Sequence, residues 1–152
     1  MTRYAEKTTV SADKSCNEIE QILARYGAEE FIYAGTRSAA TIAFKIEGRP
    51  FRFILPMPDY NAREFTHTPS KSTRRQPEAR LKEYEQAVRQ RWRALALCIK
   101  AKLEAAAVGI VTLDQEFLAH MVLPGGRTIG DTIIPQLEHA IETGEMPKLL
   151  EM

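Results

Sequence analysis

Residues 40–55 read ATIAFKIEGRPFRFIL, and the alternation in this stretch decides the fold class. Apolar residues take every second position on both sides of a central EGRP, residues 47–50, which is the period of strands with one buried face. The core-facing side chains are predicted to be Ile42, Phe44, Ile46, Phe51, Phe53 and Leu55. Residues 47–50 would form the turn, and the prolines of residues 56–58 (PMP) would end the second run because proline cannot donate to a strand ladder. The stretch therefore predicts an antiparallel β-hairpin.

The residues before this hairpin predict a further strand and a helix. Residues 29–34 (EEFIYA) are rich in β-formers and extend the hairpin to a three-stranded meander. Upstream, Ser11 or Ser15 can cap a helix, and Ser15 with Glu18 fits the capping-box pattern. The apolar face of that helix would consist of Ile19, Ile22, Leu23 and Tyr26. Gly27 would end the helix by taking a positive φ angle, and the apolar face would cover the sheet.

The longest predicted helix begins at Pro77 and ends near Ala107. Proline suits the first helical position because its missing N–H would be unpaired there anyway. Apolar residues recur every three or four positions, as on a core-facing helix, and they are Leu81, Tyr84, Val88, Trp92, Leu95, Ile99, Leu103 and Ala106. Between the strands and this helix, residues 59–76 are polar, basic and without periodicity, so we expect a mobile basic loop there.

Two shorter helices are predicted after the long one. Thr112 and Gln115 form a capping box at the start of the first helix. Its inward side chains are predicted to be Phe117, Leu118 and Met121. A tight turn at residues 123–127 (LPGGR) precedes the second helix, which Thr128 caps. Pro135 is expected to kink that helix or to delay its start.

These elements predict one α+β domain, residues 1–152, with an N-terminal helix, a three-stranded antiparallel β-meander, a long amphipathic helix and two shorter C-terminal helices. No apolar run approaches the roughly 20 residues that cross a bilayer, and no apolar segment of a secretory signal follows the N-terminal charges. Cys16 and Cys98 lack metal-ligand spacing, and we expect both to be reduced and half-buried. We therefore expect a cytoplasmic protein without a membrane partner.

The net charge of +1 conceals a strong asymmetry along the chain. Residues 71–102 contain ten Lys or Arg against three acids, a balance of 10 − 3 = +7. Residues 103–152 contain two basic residues against eight acids, a balance of 2 − 8 = −6. Charge distributed in this way indicates either an anionic partner or a contact between the two parts of the fold.

Four basic residues of the long helix fall on one line, which we call the basic stripe: Lys82, Arg89, Arg93 and Lys100. At about 100° and 1.5 Å per residue they lie within about 20° of one line along the helix, over about 27 Å, and roughly 110° around the helix from the apolar face. Such a row suits the phosphates of a nucleic acid, because each neutralised phosphate releases counterions. Its length would match about four nucleotides of an extended single strand.

Other basic residues could enlarge this surface. Arg74 and Arg75 in the preceding loop would close over a bound strand as a flexible flap, and Arg52 would join them if the polar face of the sheet lay alongside. Two alternatives stay open for the stripe. It could be a solvated face or dock on the acidic C-terminal third of the chain, or it could be a surface for an acidic protein.

Further candidate sites have less specific patterns. The carboxylates and histidines that could hold a divalent metal for hydrolysis are Asp59, Glu64, His67, Glu116 and His120, although their spacing matches no metal motif. Residues 125–128 (GGRT) precede a helix and could hold an anion, but a plain turn explains them more simply. No nucleophile motif is present. The sequence therefore assigns no catalytic residue, metal ligand or cofactor, and it favours a protein that is not an enzyme.

Five segments in this order resemble a widespread, functionally uncharacterised family of small bacteriophage and prophage proteins: residues 51–58 (FRFILPMP), 63–67 (REFTH), 89–95 (RQRWRAL), 117–120 (FLAH) and 123–128 (LPGGRT). The resemblance spans nearly the whole chain. It implies a phage early or accessory protein that acts inside a bacterial host cell, and it carries over no residue roles.

The leading hypothesis from the sequence is a phage accessory protein that binds nucleic acid, preferably single-stranded DNA, without enzymatic activity during replication or recombination. The predicted binding residues are Arg74, Arg75, Lys82, Arg89, Arg93 and Lys100. The alternative is an inhibitor that docks on a protein of a bacterial anti-phage defence system, and a further alternative is a metal-dependent nuclease. The long apolar helix also leads us to expect a homodimer.

Overall fold

A computed structural model describes residues 3–147 of the protein, with side chains from residue 14 onward. In chain order the elements are α1 (Arg3–Arg25), β1 (Ala28–Gly35), β2 (Ala39–Ile46), β3 (Arg49–Pro56), α2 (Arg63–Thr66), α3 (Pro77–Ala107), α4 (Leu113–Phe117), a 3-10 helix (Leu118–His120) and α5 (Ile129–Thr143). The predicted α+β architecture is confirmed. Residues 1, 2 and 148–152, which the predicted domain includes, lie outside the described part of the chain.

The sheet is an antiparallel meander in the order β1-β2-β3, as the alternation predicted. In the middle of β2, Phe44 pairs with Phe31 on one side and with Phe51 on the other. The turn between β2 and β3 is shorter than predicted, because only Glu47 and Gly48 form it. Their φ angles of 53° and 77° are both positive, as a two-residue turn between twisted strands requires.

The core lies on one face of this sheet, under α1 and α3. Phe117 is fully buried among the aromatic rings of the sheet, with ring centroids 5.9, 5.2 and 6.0 Å from those of Phe44, Phe51 and Phe53. Six of the eight predicted apolar positions of α3 are buried, namely Tyr84, Val88, Trp92, Leu95, Ile99 and Leu103, whereas Leu81 and Ala106 are half-buried. Ala96, which was not predicted, is buried as well. The burial of these apolar side chains is the main stabilising contribution to the fold.

The first helix begins earlier than either predicted cap. It starts at Arg3 and contains residues 11 and 15 inside it, so Ser15 does not cap a helix start. The reason is that residues 3–14 (RYAEKTTVSADK) contain no Gly or Pro to stop a helix from extending. At the other end the prediction is confirmed, because Gly27 has a φ angle of 92°.

Residues 59–76 contain more regular structure than predicted. They include the one-turn helix α2, and His67 and Arg74 form an isolated antiparallel bridge. Phe65 of α2 is buried with its ring 5.4 Å from that of Tyr84 in an edge arrangement. Tyr60 also packs edge-on against Tyr84, with ring centroids 5.2 Å apart. Two aromatic side chains thus fix this segment to α3, and two aromatics five positions apart in a polar stretch leave no periodic pattern.

The turn before α5 forms as predicted and joins the C-terminal part of the chain to the sheet. The N–H of Val122 donates to the carbonyl of Pro50 at 2.8 Å, and the N–H of Leu123 donates to the carbonyl of Arg127 at 2.8 Å. Thr128 caps α5 in a reciprocal capping box with Asp131. A pair of β-type hydrogen bonds and a capped helix therefore hold the chain at this edge of β3.

Pro135 does not delay the start of α5, contrary to one of the two expected outcomes. The helix begins at Ile129 and continues through the proline to Thr143. A proline leaves the carbonyl four residues earlier without its helical donor, and here that carbonyl belongs to Asp131. Arg127 Nη2 donates to it at 2.9 Å. A side chain from the preceding turn therefore replaces the missing backbone donor.

Much of the apolar surface of α5 faces solvent. Ile134, Leu137 and Ile141 are 51%, 40% and 83% exposed, and Gly130 is the buried residue of the helix. Leu118, predicted to point inward, is also exposed, so that prediction was wrong. No helix within residues 3–147 combines the length and the apolarity that crossing a membrane requires.

Gly130 allows the first turn of α5 to lie directly on the 3-10 helix. A Cβ atom at this position would come within 2.8 Å of the Ala119 carbonyl oxygen. At an exposed helical site, Gly→Ala stabilises by roughly 0.5–1 kcal/mol, but overpacking against backbone costs about 1–3 kcal/mol. We therefore expect Gly130→Ala to lower the free energy of unfolding, measured by urea denaturation. A stabilised variant would show that the first turn has room to move.

Candidate nucleic-acid interface

All four side chains of the basic stripe are exposed. Each of Arg89, Arg93 and Lys100 follows a buried residue of α3 by one position, and one position is about 100° around a helix. The burial of α3 therefore directs the stripe into solvent. Among the side chains of residues 14–147, none forms an ion pair or hydrogen bond with Lys82, Arg89, Arg93 or Lys100.

The acidic C-terminal third does not neutralise the stripe through any described ion pair. Its carboxylates pair with basic residues elsewhere, as Asp114 with Arg49, Glu116 with Lys102 at 3.0 Å, and Asp131 with Arg52 at 3.5 Å. Lys102 follows Lys100 by two residues and so lies about 160° away from it around α3. Within the described side chains, the alternative of a stripe docked on the protein's own acids has no support.

The structure does not bring Arg75 onto the stripe, contrary to the predicted flap. Arg75 Nε donates to the His67 carbonyl at 3.2 Å, Nη1 lies 3.6 Å from Glu83 Oε1, and the side chain is 14% exposed. Glu83 is one residue beyond Lys82, about 100° around α3. Arg74 is exposed in the same strand-like bridge. Contacts of Arg75 with His67 and Glu83, each eight positions away, hold this segment beside α3, and the sequence spacing does not reveal them.

Arg52 has a structural contact in place of the suggested binding role. Its Nη1 donates to the Gly126 carbonyl at 2.7 Å, and its Nη2 lies 3.5 Å from Asp131 Oδ2. Hydrogen bonds from Thr128 and, to a smaller extent, the charge of Arg52 hold the pKa of Asp131 below its usual value. The same carboxylate accepts from the Thr128 N–H, so it occupies the N-terminal end of α5. Residues 125–128 therefore form a turn closed by the protein's own carboxylate.

No exposed aromatic side chain within residues 14–147 lies beside the basic stripe. Every Phe, Tyr and Trp within residues 14–147 is buried or half-buried, and Trp92 and Phe65, both near basic residues in sequence, are 2% and 4% exposed. Base stacking on aromatic rings is the usual source of affinity for unpaired bases. The described part of the stripe offers contacts to phosphates only.

The candidate metal ligands do not come together. Asp59 accepts from the Asn61 N–H at 2.9 Å, and Glu116 pairs with Lys102. His67 Nδ1 lies 2.8 Å from the Thr66 hydroxyl. Within the described residues, no group of three or more His, Cys, Asp or Glu side chains is arranged to hold a metal ion.

His120 belongs to the edge of the core. Its ring stacks on Phe53 with the centroids 3.8 Å apart and the planes 15° apart. Burial lowers its pKa below the ordinary value of 6.5, the charge of Lys102 lowers it further, and a hydrogen bond with the backbone of Arg52 acts in the opposite direction. The free thiols also differ from expectation, since Cys16 is buried whereas Cys98 is exposed.

Sequence reasoning missed a second basic feature at the start of α3. Arg74, Arg75 and Arg80 line one cavity of about 270 Å³. The sequence offered one indication of this cavity, which is that the three arginines lie close together on both sides of the predicted start of α3. It gave no reason to expect Arg80 to lie over the Tyr60 ring, 3.9 Å from its centroid.

Comparisons of this chain with protein-family models, with curated proteins and with solved structures found no match. The resemblance to bacteriophage proteins therefore stays a prediction.

Arg75 forms contacts within the protein whereas the stripe residues form none with the described side chains, and this difference predicts different effects on the free energy of unfolding. Arg75→Gln removes a charged hydrogen bond to a backbone carbonyl and an ion pair, and we expect it to lower the free energy of unfolding by about 1–2 kcal/mol. Arg89→Gln, the matched control, should change it by less than about 0.5 kcal/mol. Urea denaturation of both variants tests this. Equal effects would mean that Arg75 is as free as the stripe.

The lowered pKa of His120 predicts a pH dependence of stability. The folded state binds this proton less readily than the unfolded state, so the free energy of unfolding should decrease as the pH falls through about 6.5 and below. His120→Gln should flatten this slope between about pH 7.5 and 5.5, measured by urea denaturation. An unchanged slope in the variant would assign the effect to another group.

Proposed function

We propose that this protein binds single-stranded DNA, without enzymatic activity, through the basic stripe Lys82, Arg89, Arg93 and Lys100. The observation that carries the proposal is the exposure of four cations in one row on a packed helix, with no partner among the described side chains. Unpaired charges aligned over about 27 Å create a strong local potential. A polyanion with regularly spaced charges is the ligand that uses all four at once.

The rigidity of α3 supports affinity for a phosphate backbone. The stripe is fixed by the buried residues beside it, so binding orders only the ends of four side chains. Each neutralised phosphate releases condensed counterions, and this contribution is independent of base sequence. The proposed interaction is therefore salt-sensitive and without base specificity.

The straight row favours a single strand over a duplex. A flexible strand can follow a line of about 27 Å, whereas each backbone of a duplex winds away from a straight helix after a few phosphates. The absence of exposed aromatic rings among residues 14–147 argues against base stacking, so the preference rests on backbone shape. We further propose that this binding serves replication or recombination in a bacterial cell, as the resemblance to phage proteins implies, and that the protein acts as a homodimer.

A second candidate is a protein partner, such as a component of a bacterial defence system that the protein would inhibit. The observation that favours it is the exposed apolar surface of α5, with Ile134, Leu137 and Ile141. Contiguous apolar side chains in solvent are typical of protein contacts. Such an interface would respond less to salt than one made of phosphate contacts.

Charge reversal tests the proposed interface. Arg89→Glu with Arg93→Glu should abolish binding to a labelled single-stranded oligonucleotide in fluorescence anisotropy, because two attractive contacts become repulsive. The matched control is Arg25→Glu with Arg37→Glu, two exposed arginines outside α3. Both double variants change the net charge from +1 to 1 − 4 = −3. Equal losses in both would show a response to net charge alone, and binding retained by the stripe variant would contradict the interface.

The salt dependence of the binding constant measures how many phosphates the protein contacts. Four phosphates on a single strand predict a slope of log K against log salt of about −2.8, and Arg89→Ala with Arg93→Ala should reduce it to about −1.4. A labelled duplex in the same titration tests the strand preference. If the wild-type protein binds neither the single-stranded oligonucleotide nor the duplex at low salt, the protein partner becomes the leading candidate. Cleavage of the oligonucleotide on adding Mg²⁺ would contradict a non-enzymatic role.

A further inference from the structure

A cavity at the N-terminal end of α3 forms a second basic feature, distinct from the stripe. Its volume is about 270 Å³, and it is lined by Thr66, Arg74, Arg75, Gln76, Pro77 and Arg80. Three of these six residues are cationic and none is acidic. Arg80 precedes Lys82 by two residues and so lies about 160° away from it around α3. The cavity and the stripe therefore occupy different sides of the helix.

Two arginines of this cavity, Arg75 and Arg80, are held in place without using all their donors. Arg80 donates to the Tyr60 carbonyl from Nε at 3.3 Å and from Nη2 at 2.8 Å, and Nη2 also donates to Asn61 Oδ1 at 2.8 Å. Arg75 uses Nε on the His67 carbonyl. A guanidinium has five N–H donors, so donors remain on both. Within the described side chains, Arg74 has no partner for its guanidinium.

The charge of the cavity is only partly balanced by the carboxylates in the described part of the chain. Glu83 is the one carboxylate that pairs with these arginines in the described part of the chain, at 3.6 Å from Arg75. Among the described residues, Arg80 contacts neutral oxygens and the Tyr60 ring, and no carboxylate. Like charges gathered in a partly enclosed space are unfavourable unless an anion joins them. The cluster therefore has the electrostatics of a site for an anion.

The start of α3 adds to this field. Gln76 is the N-cap residue and forms no side-chain cap hydrogen bond, while Pro77 has no N–H. The first-turn amides of a helix of 31 residues therefore have no side-chain acceptor at the cavity. The positive end of the helix dipole favours a negative group at the same place as the arginines.

We propose that this cavity binds a phosphate monoester dianion. Guanidinium groups form paired hydrogen bonds with phosphate oxygens, and a phosphate monoester has three acceptor oxygens and a charge near −2. The phosphate could be carried by a small molecule or by the 5′ end of a nucleic-acid strand. The site is independent of the proposed binding to the stripe, because none of its lining residues belongs to the stripe.

Titration with inorganic phosphate tests the site directly. In two-dimensional NMR spectra at pH 7.5, we expect saturable shifts of the Glu78 and Ala79 amides and of the Nε–Hε groups of Arg75 and Arg80. Arg74→Gln should weaken this binding about tenfold, because it removes charge-assisted hydrogen bonds. This variant leaves the internal contacts of Arg75 and Arg80 intact. Lys71→Gln, an exposed neighbour outside the cavity lining, is the matched control.

Further comparisons separate the sources of phosphate and the two proposals. Tighter binding of a 5′-phosphorylated oligonucleotide than of its 5′-hydroxyl form, lost in Arg74→Gln, would identify a strand end. Saturable binding of a nucleoside monophosphate without that difference would identify a small molecule. Arg89→Glu with Arg93→Glu should retain phosphate binding. The proposal is overturned if millimolar phosphate causes no saturable shift, or if Arg74→Gln binds as tightly as Lys71→Gln.

Discussion

The burial of one face of α3 against the sheet and α1 is the constraint on which the rest of the structure depends. Once Val88, Trp92 and Ile99 are in the core, the helical repeat fixes the direction of the residues that follow them. Arg89, Arg93 and Lys100 are directed outward because the residues before them are directed inward. The apolar packing that stabilises the domain also aligns the charges, so folding and the proposed function depend on the same contact.

Periodic features could be predicted from the sequence, and single long-range contacts could not. The strands, the extent of α3 and the line of the stripe all follow from spacing, which local geometry converts directly into structure. The contact of Arg52 with Gly126 spans 74 positions, and that with Asp131 spans 79. A side chain that meets a backbone carbonyl so far away leaves no pattern in either segment. Arg75 was assigned to a flap because its contacts with His67 and Glu83, each eight positions away, follow neither a helical nor a strand period.

The two basic features of α3 differ in how the protein holds them. The stripe side chains are exposed to solvent, and in the proposed interaction their affinity would come from their number and alignment. Arg75 and Arg80 of the cavity are fixed by carbonyl oxygens and, for Arg80, by the Tyr60 ring, so a ligand there would meet donors already in place. One long helix thus presents a row of cations along one side and a small cavity lined by arginines at its start.

The contact between Arg127 and the Asp131 carbonyl has a consequence for how this sequence can diverge. Pro135 is tolerated inside α5 because an arginine four residues before Asp131 supplies the hydrogen bond that the proline cannot. In related sequences, positions 127 and 135 should therefore vary together. A lineage that replaces the proline releases the arginine from selection, whereas one that loses the arginine first leaves a helical carbonyl without its donor. The order of these two changes is constrained by one hydrogen bond.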